Sequence, residues 1–201
     1  MAPFRLFGRK GPEAEARALY LTIVGQARRP EFYRDWGVPD SLDGRFELVA
    51  LHCFLVLHRL KAGGPQAAGL AQALFDIMFQ DMDESLRELG AGDLGVGRRV
   101  RTMAEAFYGR IAAYEAGLAG PPDRLEDALQ RNLYGTVEAA PARVEALAAY
   151  LRREAAALAL VPIRELLAGR LDFGPSPEAA LAGPGGGTTP SAGIDPARRG
   201  S

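Results

Sequence analysis

Residues 48–57, LVALHCFLVL, are apolar at every position but His52. The run is too short to cross a bilayer, which takes about 20 apolar residues. It is also apolar all round, so as a helix it cannot lie on a surface. It must sit at the middle of a bundle, with the rest of the chain wrapped around it. Ser41 and Asp43 offer N-caps for this helix, which runs to about residue 60.

The flanking segments also read at the helical period. In the first, Leu19, Tyr20, Ile23, Val24 and Ala27 form one face, with Pro12 near its start and Pro30 at its end. PEFYRDWG reads as a short helical turn closed by Gly37. Gly63, Gly64 and Pro65 break the chain before a helix over about 67–89, with Leu70, Leu74, Ile77, Met78, Met82 and Leu86 inward. The next, about 96–115, turns in Val100, Met103, Ala104, Phe107, Ile111 and Tyr114. Pro121 and Pro122 open a sixth helix carrying Leu125, Leu129 and Leu133. A seventh carries Val144, Leu147, Ala148, Leu151, Ala155 and Leu158, and after Pro162 a further turn or two is expected. No stretch reads as a strand, and no internal repeat suggests a solenoid.

The expected fold class is therefore all-α: a single irregular bundle of about seven helices. Residues 12–173 form the helical domain, and residues 1–11 are a flexible N-terminal arm. That arm, MAPFRLFGRKG, has basic residues and two phenylalanines but lacks the apolar core of a secretory signal. Residues 174–201 are dominated by glycine, proline, serine and threonine and read as a disordered tail, because they bury too little to offset their ordering entropy.

The formal net charge is -1, so no global field draws the chain to nucleic acid, and no DNA partner is expected. A single cysteine, Cys53, cannot form an internal disulfide, which fits a reducing, cytoplasmic setting. Any electrostatic partner must be met by a local patch. Arg98, Arg99 and Arg101 supply one at the expected start of the fifth helix, where Asp93 is placed to cap. Cations there oppose the helix dipole. A feature that works against local stability suggests an anionic partner.

Other motifs weigh less. Gly90, Gly92 and Gly95 spell GxGxxG, but a dinucleotide site needs a strand before it, and DESLREL precedes it here. His52 and His58 are six residues apart and point about 240° apart on one helix, the wrong spacing for a metal pair. Asp76 and Asp83 share a face but lie roughly 10 Å apart. A solvated acidic face pairing with Arg98 and Arg99 is the simpler reading. No catalytic, cofactor or metal residue is expected. Gly109, in FYGR, reads as a point of close helix–helix approach or a notch for a partner helix. Candidate partner-binding residues are Arg98, Arg99, Arg101, Asp93, Tyr33, Trp36, Tyr108 and Arg110. Tyr33 and Trp36 either roof the core or form an exposed patch.

Three stretches together resemble the ubiquinol–cytochrome c chaperone family: LYLTIVGQARRPEFYRDWGVPDSLDGRFELVALH, LAQALFDIMFQDMDESLRELGAGDLGVG and MAEAFYGRIAAY. They cover residues 19–114; beyond about Gly117 the likeness is only in being helical. The resemblance implies an all-helical, non-enzymatic assembly factor of the bc1 complex. Its client would be newly synthesised cytochrome b, and it would act peripherally at the inner membrane. The arginine patch could also meet an anionic membrane surface or the ribosome. The alternative function is an RNA- or ribosome-binding translation factor using Arg98–Arg101.

Overall fold

A computed structural model describes residues 12–88, 93–135 and 137–177, with backbone alone at 93–96, 98 and 99. Residues 1–11, the glycine-rich break at 89–92 and residues 178–201, most of the expected tail, lie outside the described residues. The elements are α1 (Glu13–Ala27), α2 (Pro30–Arg34), α3 (Leu42–Lys61), α4 (Pro65–Glu88), α5 (Asp93–Ala119), α6 (Pro122–Leu129), α7 (Pro141–Leu160) and α8 (Ile163–Leu167). A π-helical turn, Gln130–Tyr134, extends α6. No strand occurs among the described residues, and the all-α reading stands.

The α3 helix is the axis. The Ser41 hydroxyl accepts from the Gly44 N–H at 3.1 Å, the expected N-cap. Residues 50–56 are buried without a break, and α1, α4, α7 and the π turn pack around them. The α1 helix lies on α4 and α3, α4 on α5, and α6 on α5 and α7. Helices α5 and α6 approach closely at Gly117, where a Cβ would stand 2.8 Å from the Cα of Leu125. That contact brings α5 and α6 together and leaves no room for a side chain. By contrast, a Cβ on Gly109 would meet nothing within 4 Å. The close approach expected at Gly109 therefore occurs two turns later.

A buried polar network ties α1 and the segment at Gly174 to α7, beside this axis. The Gln26 side-chain amide donates to the Tyr150 hydroxyl at 2.9 Å and to the Gly174 carbonyl at 3.1 Å. The Glu154 carboxylate, 2% exposed, accepts from the Gly174 N–H at 3.0 Å and from Arg153. Phe32, Phe173 and Tyr150 pack edge-on around the His52 ring. The described chain thus stays docked to Pro177, which is buried, four residues past the expected end of the domain.

Helix α5 begins at Asp93, three residues before the expected start. Arg101 is then its ninth residue, more than two turns from the positive end, and the dipole effect fades within one turn. For Arg101 the electrostatic argument from helix position does not hold.

Candidate functional site

The sequence-predicted residues fall on separate surfaces. Trp36 is 1% exposed, and its carbonyl accepts from the Tyr134 hydroxyl at 2.9 Å. It belongs to the core and cannot meet a partner from there. Tyr33 is half-buried, donates its hydroxyl to the Ala27 carbonyl at 2.9 Å, and floors a shallow depression ringed by Arg28, Arg34, Asp40 and Arg45. Two of those arginines are engaged, Arg34 by Asp35 and Arg45 by Asp40, both at 2.7 Å.

Arg110 is also committed within the chain. Its guanidinium takes the Glu47 carboxylate in a two-pronged pair joining α5 to α3 and lies over the Phe46 ring. The side chains are 18% and 10% exposed. Burial pushes the Glu47 carboxyl up from its ordinary value, and the Arg110 bonds only partly oppose that. Arg110 is a strut, not a free docking group.

Arg101 is exposed. The side chains of Asp93, Arg98 and Arg99 lie outside the described residues, and with them the expected pairing across the break. The acidic stretch has other partners: Asp81 accepts from the Tyr20 hydroxyl at 2.7 Å, and Asp83 pairs with Arg87 at 2.6 Å. Helix α4 extends to Glu88, so among the described residues a helix and not the strand a dinucleotide site requires precedes the GxGxxG segment. Among the described residues no three His, Cys, Asp or Glu side chains gather as a metal would need.

Tyr108 stands apart. It is 62% exposed, and its ring stacks on Phe75 of α4, centroids 5.5 Å apart and planes 30° apart. Phe75 continues into a packed ladder, 4.6 Å to Phe79 and 6.0 Å to Phe107. Beside the stacked pair, Leu57, Ala68, Ala71 and Ile111 line a groove of about 450 Å³ between α4, α5 and the end of α3. Its polar end is closed by Glu115, which accepts from Lys61 at 2.8 Å and faces His58 at 3.4 Å. Those neighbours hold the Glu115 carboxyl below its ordinary value. Sequence reasoning singled out Tyr108 but not Phe75. The available signal was a second apolar stripe on α4 at 68, 71 and 75, beside the inward one.

The ubiquinol–cytochrome C chaperone family matches residues 34–173. The chain belongs to this family. The match carries the likeness past Gly117 through α6, α7 and α8, where the sequence alone offered only helicity. It ends on Phe173, the residue that packs edge-on against His52. Over 139 residues this chaperone-family chain is 27% identical to ubiquinol-cytochrome-c reductase complex assembly factor 1 of Xenopus laevis, covering 69% of this chain and 70% of the frog protein. The factor of that name from Drosophila melanogaster is 26% identical over 149 residues, and the chain spans only 58% of its length. The crystal structure of the Cbp3 homolog from Brucella abortus is 39% identical, with a TM-score of 0.75, covering 83% of this chain and 92% of that one.

Proposed function

We propose that this protein is a non-enzymatic assembly chaperone for ubiquinol–cytochrome c reductase, that its client is newly made cytochrome b, and that the α4–α5 groove holds the client. The family match over residues 34–173 carries the assembly role. The groove supports the placement. An apolar trough with an exposed aromatic at its lip suits an amphipathic or apolar helix laid along it. No helix among the described residues is long and apolar enough to cross a membrane. The protein would meet its client from the cytoplasmic side as a peripheral factor. The exposure of Arg101, on the same helix as Tyr108, supports a contact with anionic headgroups or the ribosome.

The test is a clean deletion strain, complemented with a chain carrying a photoreactive residue at position 108. Loss of the protein should deplete assembled reductase and spare unrelated membrane proteins, and irradiation should trap cytochrome b. Normal reductase levels in the deletion strain reject the assembly role. Depletion without a cytochrome b crosslink keeps that role and rejects the groove or the client.

A further inference from the structure

We propose that the cleft between α1, α3 and α7 is a peptide-recognition site for an extended aromatic–glycine segment of a partner protein, closed here by the chain's own Phe173 and Gly174 as a displaceable strap. The cleft lies apart from the α4–α5 groove and does not depend on where the client binds. Residues 171–177 follow α8 without joining any helix. Gly169 turns the chain in the left-handed region, φ +70°, and the Arg170 N–H donates to the Glu165 carbonyl at 2.9 Å. That is the last backbone-to-backbone hydrogen bond of the chain among the described residues. Beyond it the strap is hydrogen-bonded through side chains of the cleft.

The cleft reads one peptide residue from both sides. Gln26 on α1 donates to the Gly174 carbonyl at 3.1 Å, and Glu154 Oε2 on α7 accepts from the Gly174 N–H at 3.0 Å. Arg153 adds a bond to the Pro175 carbonyl. Gln26 and Glu154 are buried, and Oε2 has no other hydrogen-bond partner among the described residues. A closure that never opened would gain as much from apolar side chains, because a buried carboxylate carries a desolvation cost that its partners only offset. A donor and an acceptor spaced for a peptide unit are instead how domains hold an extended chain, with side-chain pockets adding specificity. Phe173 presents its ring to His52, centroids 5.2 Å apart and planes at 87°. A Cβ on Gly174 would stand 2.7 Å from Glu154 Oε1, which Arg153 holds at 2.9 Å. The site therefore takes an aromatic residue followed by glycine. The partner must offer a backbone not committed to a helix, as a loop or a segment not yet folded does. A tethered strap competes at millimolar effective concentration, so the cleft stays closed until such a segment binds more tightly.

The experiment uses the full chain and two blocked synthetic peptides, LDFGPSP from residues 171–177 and one with Phe–Gly in unrelated flanks. Both should bind the variant Phe173→Ser, Gly174→Ala at least tenfold more tightly than the parent, because its strap no longer competes. Alanine for glycine in either peptide should abolish binding. In the parent, saturating peptide should raise hydrogen exchange in the chain's own strap and leave α3 unchanged. Equal binding to parent and variant, or none to either, overturns the proposal. Binding of LDFGPSP alone overturns it in favour of a closure specific to this chain. A variant that dimerises by exchanging straps overturns it in favour of a second copy as occupant. If the variant does not fold, exchange in the parent decides, and a strap unmoved by both peptides overturns the proposal.

Discussion

The phenol hydroxyl of Tyr150 on α7 lies 2.8 Å from Nε2 of His52 on α3. Nδ1 of the same ring lies 2.7 Å from the Leu48 carbonyl, which can only accept. Nδ1 therefore carries the proton, and Nε2 accepts from Tyr150. The Tyr150 oxygen in turn accepts from Gln26, so α1, α3 and α7 share one proton-ordered chain. Replacing Tyr150 with Phe leaves Nε2 buried without a donor. The expected loss is about 1–3 kcal/mol, read by urea denaturation. A variant as stable as the parent would show that the chain contributes nothing to the fold.

The same ring sets an acid limit on stability. Burial pushes the His52 pKa down to about 4 from 6.5, against the opposing Leu48 bond. The unfolded chain therefore binds a proton at higher pH than the folded one. His52's contribution is whole above pH 6.5 and is lost as the pH falls from 6.5 towards 4, by up to about 3 kcal/mol. Glu47 runs the other way, because its carboxyl is raised in the fold. The clean measurement is the difference between the parent and His52→Leu. The parent should lose stability faster between pH 6.5 and 4, and parallel curves would reject the assignment.

The burial of α3 was legible because ten nearly uninterrupted apolar residues leave a helix no wet face. The helix boundaries followed from Pro12, Pro30, Pro65 and Pro122, each of which fixes a backbone break locally. The pairing of Glu47 with Arg110 was not legible. The two are 63 residues apart, and no local period links them; only the crossing of α3 by α5 does. Trp36 read equally well as roof or patch, because an aromatic after a short helix says nothing of what lies over it. Tyr108 drew notice as an aromatic beside a helical glycine. Its partner Phe75 did not, because the inward stripe of α4 had already absorbed the apolar signal there.

The Glu47–Arg110 pair should behave as a buried charge couple. Arg110→Met strands a buried carboxylate, and the expected cost is about 3–5 kcal/mol. Glu47→Leu with Arg110→Met removes both charges and should restore most of that loss. A double variant as unstable as the single one would show that Arg110 acts by packing on Phe46 and not by charge.

Gly109 has open space where a Cβ would go and lies within a long helix. Gly109→Ala should therefore stabilise the protein by about 0.5–1 kcal/mol, measured by chemical denaturation. Gly117→Ala should destabilise it, because Leu125 occupies that space. If Gly117→Ala stabilises the protein as well, the description of the α5–α6 contact is wrong.

The groove can be tested without unfolding the protein. Tyr108 is mostly exposed, so Tyr108→Asp forfeits little more than its stack on Phe75, about 0.5–1.5 kcal/mol. The folded variant puts a charge at the lip of an apolar trough, where an apolar client segment would have to desolvate it. Cytochrome b co-purification and assembled reductase should fall at least fivefold while the melting temperature drops by only a few degrees. As a control, Arg101→Gln alters the same helix seven residues earlier and leaves the trough apolar. If Arg101 serves a membrane or ribosome contact, this variant should lose membrane association and keep the client in detergent extracts. Full reductase levels in a Tyr108→Asp strain would exclude the groove as the client site, whatever the Arg101 variant does.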